Sequence, residues 1–433
     1  MTPRGTVLPA VVPTRLYYGW VLVLTLGVTE TVSWGVLNYA FTVFVAPMQA
    51  DLGWSRGAIG GAFSLALLVS GLAAVPVGRW LDHDGPRLLM TAGSCAATLL
   101  VLAWAGVRSL PAFYATWAAL GLAMAAVLYD PAFAVVTTWF RRHRARAMTV
   151  LTLMAGLAST IFVPLAAWLV QAQGWRAALV TLAFVLGALT IPPHALLLRR
   201  RPEDLGLVVD GRAAWPPAPI EGVGQGQHPH TVERSLAAGE ALRHASFRWV
   251  VGAFCLYAFA SIAVSVHLVP LLVDRGTTPA FAAGAAGVVG VMQLAGRLVF
   301  APMESRVSPG TLTALVFLVQ PAALLTLLLA PGAAGLAAFV VLFGAGRGAA
   351  TLARPYLVAS LYGPARYATI AGAVTLFVTL AQAAGPYLMG AGYDRFGRYD
   401  PALWLLVALS TAAAGAAWLA GSAPERAAPP WGN

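Results

Sequence analysis

The sequence has no lysine, only two cysteines, and just 10% charged residues over 433 positions. Soluble domains carry roughly 25% charged residues, so a chain this poor in charge and 59% hydrophobic holds more apolar surface than one soluble core can bury. Cys95 and Cys255 both fall within apolar runs, in opposite halves of the chain, which excludes a disulfide framework and a cysteine-based metal site. No nucleophile–base constellation, metal-ligand set or phosphate-binding loop is present, so neither an enzyme nor a bound cofactor is expected. With lysine absent, every strongly basic residue is arginine; together with the abundance of alanine this reads as the coding bias of a GC-rich bacterial genome.

What the sequence does have is long apolar blocks. A helix rises ~1.5 Å per residue, so twenty or so residues cross the ~30 Å hydrocarbon layer. Twelve such blocks are predicted: 17–46, 56–78, 87–107, 111–138, 147–171, 176–198, 248–272, 281–303, 309–330, 333–360, 367–391 and 401–420. Barrel strands are short and alternating, so continuous blocks of this length predict an all-α, polytopic membrane protein. Arg4 and Arg15 precede the first block, but its apolar run is far longer than a signal-peptide core, and no cleavable signal is expected.

A net charge of +11 invites a nucleic-acid reading, which the placement of the charge excludes. Of 27 arginines, 18 fall on one side of the predicted bundle, six on the other, and three (Arg297, Arg347, Arg354) within spans. The heavy side holds FRRHRAR at 140–146 and RRR at 199–201. The excess of basic residues on cytoplasmic loops predicts that both termini are cytoplasmic, and the expected location is a bacterial inner membrane.

Internal similarity divides the chain. Pro47, Asp51 and Gly53 correspond to Pro270, Asp274 and Gly276, and Arg144, Pro164 and Arg176 to Arg366, Pro386 and Arg398, at nearly one offset. This predicts six-helix bundles at 1–198 and 248–433, joined by a cytoplasmic connector at 199–247 that is rich in proline, glycine and polar residues. His228 and His230 in the connector lack acidic or thiol company and read as solvated loop residues; a short amphipathic helix is expected at about 231–245.

Two similar six-helix halves around a cytoplasmic loop resemble the major facilitator superfamily along the whole chain. The loop GRWLDHDGPR (78–87) is similar to that family's signature through Gly78, Asp82, Gly85 and Arg87, with His83 and Pro86 in place of arginines. Glycines permit a tight turn there, and the carboxylate suits a helix N-terminus or an arginine such as Arg144. These residues read as conformational. Within the superfamily, YYGW (17–20), WFRRHRARA (139–147), RRPEDLGL (200–207), HLVPLLVDRG (267–276) and the Gly296–Arg297 pair resemble the monocarboxylate-transporter group and its bacterial relatives. Animal members carry a proton-coupling lysine near the position of Tyr39 and an aspartate where this chain has Gln293, so that coupling route is missing.

Ionisable groups inside a membrane cost at least ~2.5 kcal/mol at mid-bilayer and are functional hypotheses by default. Glu30, Asp130, His267, Arg297, Arg347 and Arg354 lie in or near spans. Resemblance implies that helices 1, 4, 7 and 10 line a central cavity and that Arg297 grips a substrate carboxylate; the alternative is a structural ion pair. Glu30, Trp34 and Asn38 share one helix face at spacings of four, making Glu30 either a proton carrier or the counter-ion of an arginine. Asp130 is placed with Glu30 as a proton-coupling group or as a partner for a cytoplasmic arginine. Arg347 and Arg354, seven apart, share a face; Arg347 is expected in the substrate site and Arg354 at a gate. His267, Tyr39, Tyr129, Gln293 and Gln382 complete the expected polar lining.

These features predict a secondary transporter working by alternating access as a monomer, carrying a small organic anion, a monocarboxylate, with a proton. A proton-coupled efflux antiporter for an amphipathic or toxic compound is the alternative, and a non-transporting sensor the more distant one.

Overall fold

The computed structural model describes residues 17–211, 238–304, 306–330 and 332–422, and these are helical without strands. The first pass comprises α1 (Tyr18–Trp34), a π-helical turn (Gly35–Tyr39) and α2 (Phe41–Leu52). The second and third are α3 (Arg56–Asp84) and α4 (Pro86–Ala105). The fourth is divided into α5 (Leu110–Val127) and α6 (Tyr129–Trp139). The fifth begins as α7 (Arg144–Gly156) and continues into α8 (Ala158–Leu197), which turns at Gly174 (φ 79°, ψ 162°) to supply the sixth.

After the connector, of which a six-residue helix α9 (Ala238–Arg243) is described, the second half uses one helix per pass. These are α10 (Ala245–Asp274), α11 (Pro279–Met303), α12 (Pro309–Leu329), α13 (Ala333–Tyr362), α14 (Tyr367–Phe396) and α15 (Asp400–Ser422). Twelve passes result, as the apolar blocks predict. His228 and His230 lie outside the described residues.

Two breaks refine the expected helices. Pro131 has no N–H for the Val127 carbonyl four residues earlier, and its ring crowds that oxygen. The fourth helix therefore stops at Val127 and restarts at Tyr129 after an extended Leu128. In the first pass the Ala40 N–H reaches back five residues to Gly35 O at 2.8 Å, a single π turn that sequence periodicity does not signal.

The arrangement of the core fixes the shape. We call the end carrying Arg141–Arg146 and Arg199–Arg201 the basic end. There one apolar core runs through both halves, packing Trp139, Phe140 and Met148 with Phe247, Phe300, Tyr356 and Tyr362. At the other end each half buries its own core, Phe44, Trp104 and Trp117 in one and Leu271, Phe339 and Phe343 in the other. The two bundles are joined at the basic end and parted at the opposite one.

At that opposite end each half closes with an ion pair beside the end of its third helix. Arg176 bonds Asp51 at 3.2 Å and the carbonyls of Ala105 and Val107 at 2.8 and 3.0 Å, where the third helix ends. In the second half Arg275 bonds Asp400 at 2.6 Å and the Leu327 carbonyl, again where the third helix ends. The pairing is conserved between halves with its charges exchanged: the end of the first helix supplies acid in one and base in the other. Asp51 and Asp274 each stand two residues before a left-handed glycine, Gly53 and Gly276, at the end of the first pass of their half.

Candidate functional site: a cavity between the halves

Between the bundles, short of the shared core, lie two adjoining hollows of about 280 and 240 Å³ that share Tyr129, Arg354, Val378 and Gln382. The first is walled by α3, α5, α6 and α14, and the second by α10, α13 and Gln293 of α11. The break before Tyr129 places Tyr129 and Asp130 in the first turn of α6, lining the first hollow. A larger hollow of about 520 Å³ opens at the far end of the second half, around Asp274, Arg275 and Asp400. It lies away from the inter-half space, and its Arg275 is already paired with Asp400.

Asp130 and Arg354 tie the halves together at 2.5 Å. Thr375 closes the triangle, donating to the second Asp130 oxygen at 2.7 Å and accepting from Arg354 Nη1 at 2.8 Å. The ion pair thus joins α6 of one half to α13 and α14 of the other. Arg347, two turns from Arg354 on α13, lines the second hollow and has a different environment. Its Nη1 donates to Ser265 Oγ on α10, its guanidinium lies 5.8 Å from the Phe343 ring, and Tyr257 and Tyr39 are within electrostatic reach. Among the described residues no carboxylate pairs with it.

Glu30 and Arg297 do not pair either. Glu30 is fully buried in α1 and both its oxygens lack a hydrogen-bond partner, as does the neighbouring Trp34 indole N–H. Arg297 is only 6% exposed; its Nη1 donates to Thr152 O of α7 at 2.5 Å, across the halves, while Nε has no partner. Tyr129 stands near both, its ring 5.0 Å from Trp34 and 5.2 Å from Phe133. Asn38 and Tyr39 sit in the π turn, half-buried and exposed respectively.

Toward the basic end, two carboxylates close the interface reciprocally. Asp82, at the end of α3, accepts from the Ala368 and Thr369 N–H groups at 3.1 and 2.9 Å and from Thr369 Oγ1 at 2.6 Å. It thereby caps the N-terminus of α14 in the other half, where backbone donors are otherwise unpaired. A side chain at Gly78 would collide with the Ala368 carbonyl, so glycine is what lets α3 approach α14. Glu304, just past α11, meets Arg144, Arg146 and the Ala145 N–H at the start of α7. Burial pushes the Glu304 carboxyl up to about 7, against the downward pull of those arginines and that N–H. Gly85 (φ 81°, ψ −179°) makes the turn into α4, a conformation open to glycine alone. Arg87 bonds Ala195 O at 2.6 Å within its own half, and Arg144 is buried with Nε on Phe140 O at 3.0 Å.

The Major Facilitator Superfamily profile matches residues 26–386, most of the chain. The chain belongs to that superfamily. Monocarboxylate transporter 13 from Bos taurus is 28% identical over 94% of this chain and 88% of its own length. An oxalate:formate antiporter from Oxalobacter formigenes is 28% identical over 36% of this chain and 37% of its own. Among solved structures, the superfamily transporter FucP in its outward conformation aligns with a TM-score of 0.71 at 16% identity, covering 93% of this chain and 99% of that one. The human organic anion transporter MFSD10 aligns with a TM-score of 0.65 at 16% identity, over 95% and 99%. The protein is therefore a superfamily transporter related to monocarboxylate transporters.

Of the residues the sequence singles out, the structure gathers Tyr129, Asp130, Gln293, Arg347, Arg354 and Gln382 around the cavity. His267 stands apart, near the parted end, with Nδ1 3.2 Å from the Tyr399 hydroxyl and Nε2 3.0 Å from Pro386 O. Sequence reasoning missed Tyr257, Thr375 and Glu304. Tyr257 carried a signal, since Tyr257, Ser261 and Ser265 recur at spacings of four on an apolar helix; Thr375 and Glu304 gain meaning only from residues on the other half.

Proposed function

We propose that this protein is a secondary active transporter that moves a small organic anion, a monocarboxylate, together with a proton by alternating access. The observation that carries this reading is Arg347. A guanidinium stays charged at any ordinary pH, and this one lines the space between the halves with no carboxylate partner among the described residues. An anionic guest supplies the missing charge. Tyr129, Gln293 and Gln382 add polar wall around it, and the names of the monocarboxylate-transporter relatives agree with such a guest. Glu30, a fully buried carboxyl of α1 with no basic partner among the described residues, is the proton site on this reading.

Bundles 1–198 and 248–433 are the moving bodies and 199–247 the connector. With the arginine-rich end in the cytoplasm of a bacterial inner membrane, the conformation described is open to the outside and sealed within. The protein works as a monomer, since each bundle contributes one wall of a single cavity. Counterflow in proteoliposomes tests the reading. Internal unlabelled monocarboxylate should drive accumulation of its labelled form, Arg347→Ala should abolish this, and Glu30→Gln should keep exchange while losing proton dependence. Exchange of neutral or cationic solutes alone, undiminished in Arg347→Ala, would remove the anion reading.

A further inference from the structure

The α10 face turned to the cavity carries three polar residues within the otherwise apolar stretch 250–266, Tyr257, Ser261 and Ser265. Spacings of four keep them in one row. Tyr257 and Ser261 line the 240 Å³ hollow beside Arg347, and Ser265 Oγ accepts from Arg347 Nη1 while donating to Ser261 O at 2.6 Å. Ser265 therefore holds the guanidinium against this wall. The Tyr257 ring stacks on Phe317, centroids 4.2 Å apart and planes 13° apart, which fixes where its hydroxyl lies. That hydroxyl is buried, within electrostatic reach of Arg347, and has no hydrogen-bond partner.

Buried polar groups nearly always find a partner, so a rigidly held orphan hydroxyl beside a cation calls for one. Asp130, the acid of the adjoining hollow, is already engaged by Arg354 and Thr375. Arg347 and Tyr257 together form a donor pair, guanidinium and phenol, suited to a ligand group that accepts. Phe133, Phe254, Val378 and Ala258 form apolar wall around it. Arg297, by contrast, lines neither hollow and spends its Nη1 on Thr152 O.

We infer that the substrate carboxylate is bound in the second half of the protein, between the Arg347 guanidinium and the Tyr257 hydroxyl, with Ser265 orienting Arg347 and the apolar wall taking the hydrocarbon body. Tyr257 is thus a specificity-determining residue for monocarboxylates with an apolar body. The inference rests on the anion reading above and deepens it. One guanidinium and one hydroxyl satisfy one carboxylate; with Arg354 held by Asp130, a second carboxylate on the same molecule would meet no unpaired cation in this hollow.

The test uses the purified full chain with butyrate, benzoate and succinate as probes, reading melting temperature and proteoliposome counterflow. Wild type should bind butyrate and benzoate in preference to succinate. Tyr257→Phe keeps the ring stack and removes only the hydroxyl. A lost hydrogen bond to a charged group should weaken both monocarboxylates about tenfold to a hundredfold, with the ligand-free melting temperature unchanged. Should that variant prove unstable, Ser265→Ala decides, since releasing Arg347 should weaken the same probes in a folded protein. Wild-type affinity in Tyr257→Phe, or in Ser265→Ala where that variant decides, overturns this inference and leaves the anion reading standing. A wild type that binds none of the three refutes both.

Discussion

Breaking the Asp130–Arg354 pair should open the basic end without unfolding either bundle. The pair crosses the halves, so its loss falls on the equilibrium between conformations rather than on the stability of one bundle. Removing one partner of a fully buried pair costs ~3–5 kcal/mol, and an exposed pair is worth ~0.2–1 kcal/mol. These side chains are 22% and 27% exposed, nearer the buried limit, which suggests about 2 kcal/mol. At ~1.4 kcal/mol per tenfold, that is a shift of roughly thirtyfold toward the state open at the basic end. Arg354→Ala should show it most, because Asp130 then keeps only its bond from Thr375. Spin labels on cysteines at Ala50 and Val273, with Cys95 and Cys255 replaced by serine, report the separation of α2 and α10 at the parted end. The long distance of the described state should give way to a shorter one in Arg354→Ala and in Asp130→Asn. Distance distributions identical to wild type in both variants would refute the claim that this pair holds the conformation.

Two further outcomes follow from the interface. Glu304 has its carboxyl raised to about 7 by burial, so the fold favours its protonated form. That stabilisation is full below the ordinary carboxylate range of ~4.5 and is lost as pH rises through about 7. Melting temperature should therefore fall between pH 5 and 8, and Glu304→Gln should flatten that fall; an unchanged slope would show that Glu304 does not titrate there. Glu30 and Arg297 are not paired, although both border Tyr129. The double variant Glu30→Gln with Arg297→Ala should therefore be no more stable than Arg297→Ala alone, whereas recovery of the double above Arg297→Ala would mean that they neutralise each other.

Much of the architecture was legible along the chain. Twelve passes follow from block length, the basic end from the distribution of arginine, and the two halves from recurring prolines, glycines and charges. Gly78 and Asp82 stood out in the sequence, and the structure shows the local part each plays: Gly78 lets α3 approach α14 closely and Asp82 caps α14. Periodicity also placed Arg347 and Arg354 on one face of one helix. What it could not supply was the neighbour that each side chain meets. Two turns apart, Arg354 has an acid and Arg347 has none, and that difference is set by the docking of α6 and α10 against α13. Likewise Arg297 proves to be tied to a backbone carbonyl of the opposite half rather than to Glu30. A helix fixes its own faces through local backbone geometry, which sequence spacing records. Which faces meet depends on packing between segments hundreds of residues apart, and there the tertiary structure alone decides which charges are neutralised and which are left without a counter-charge.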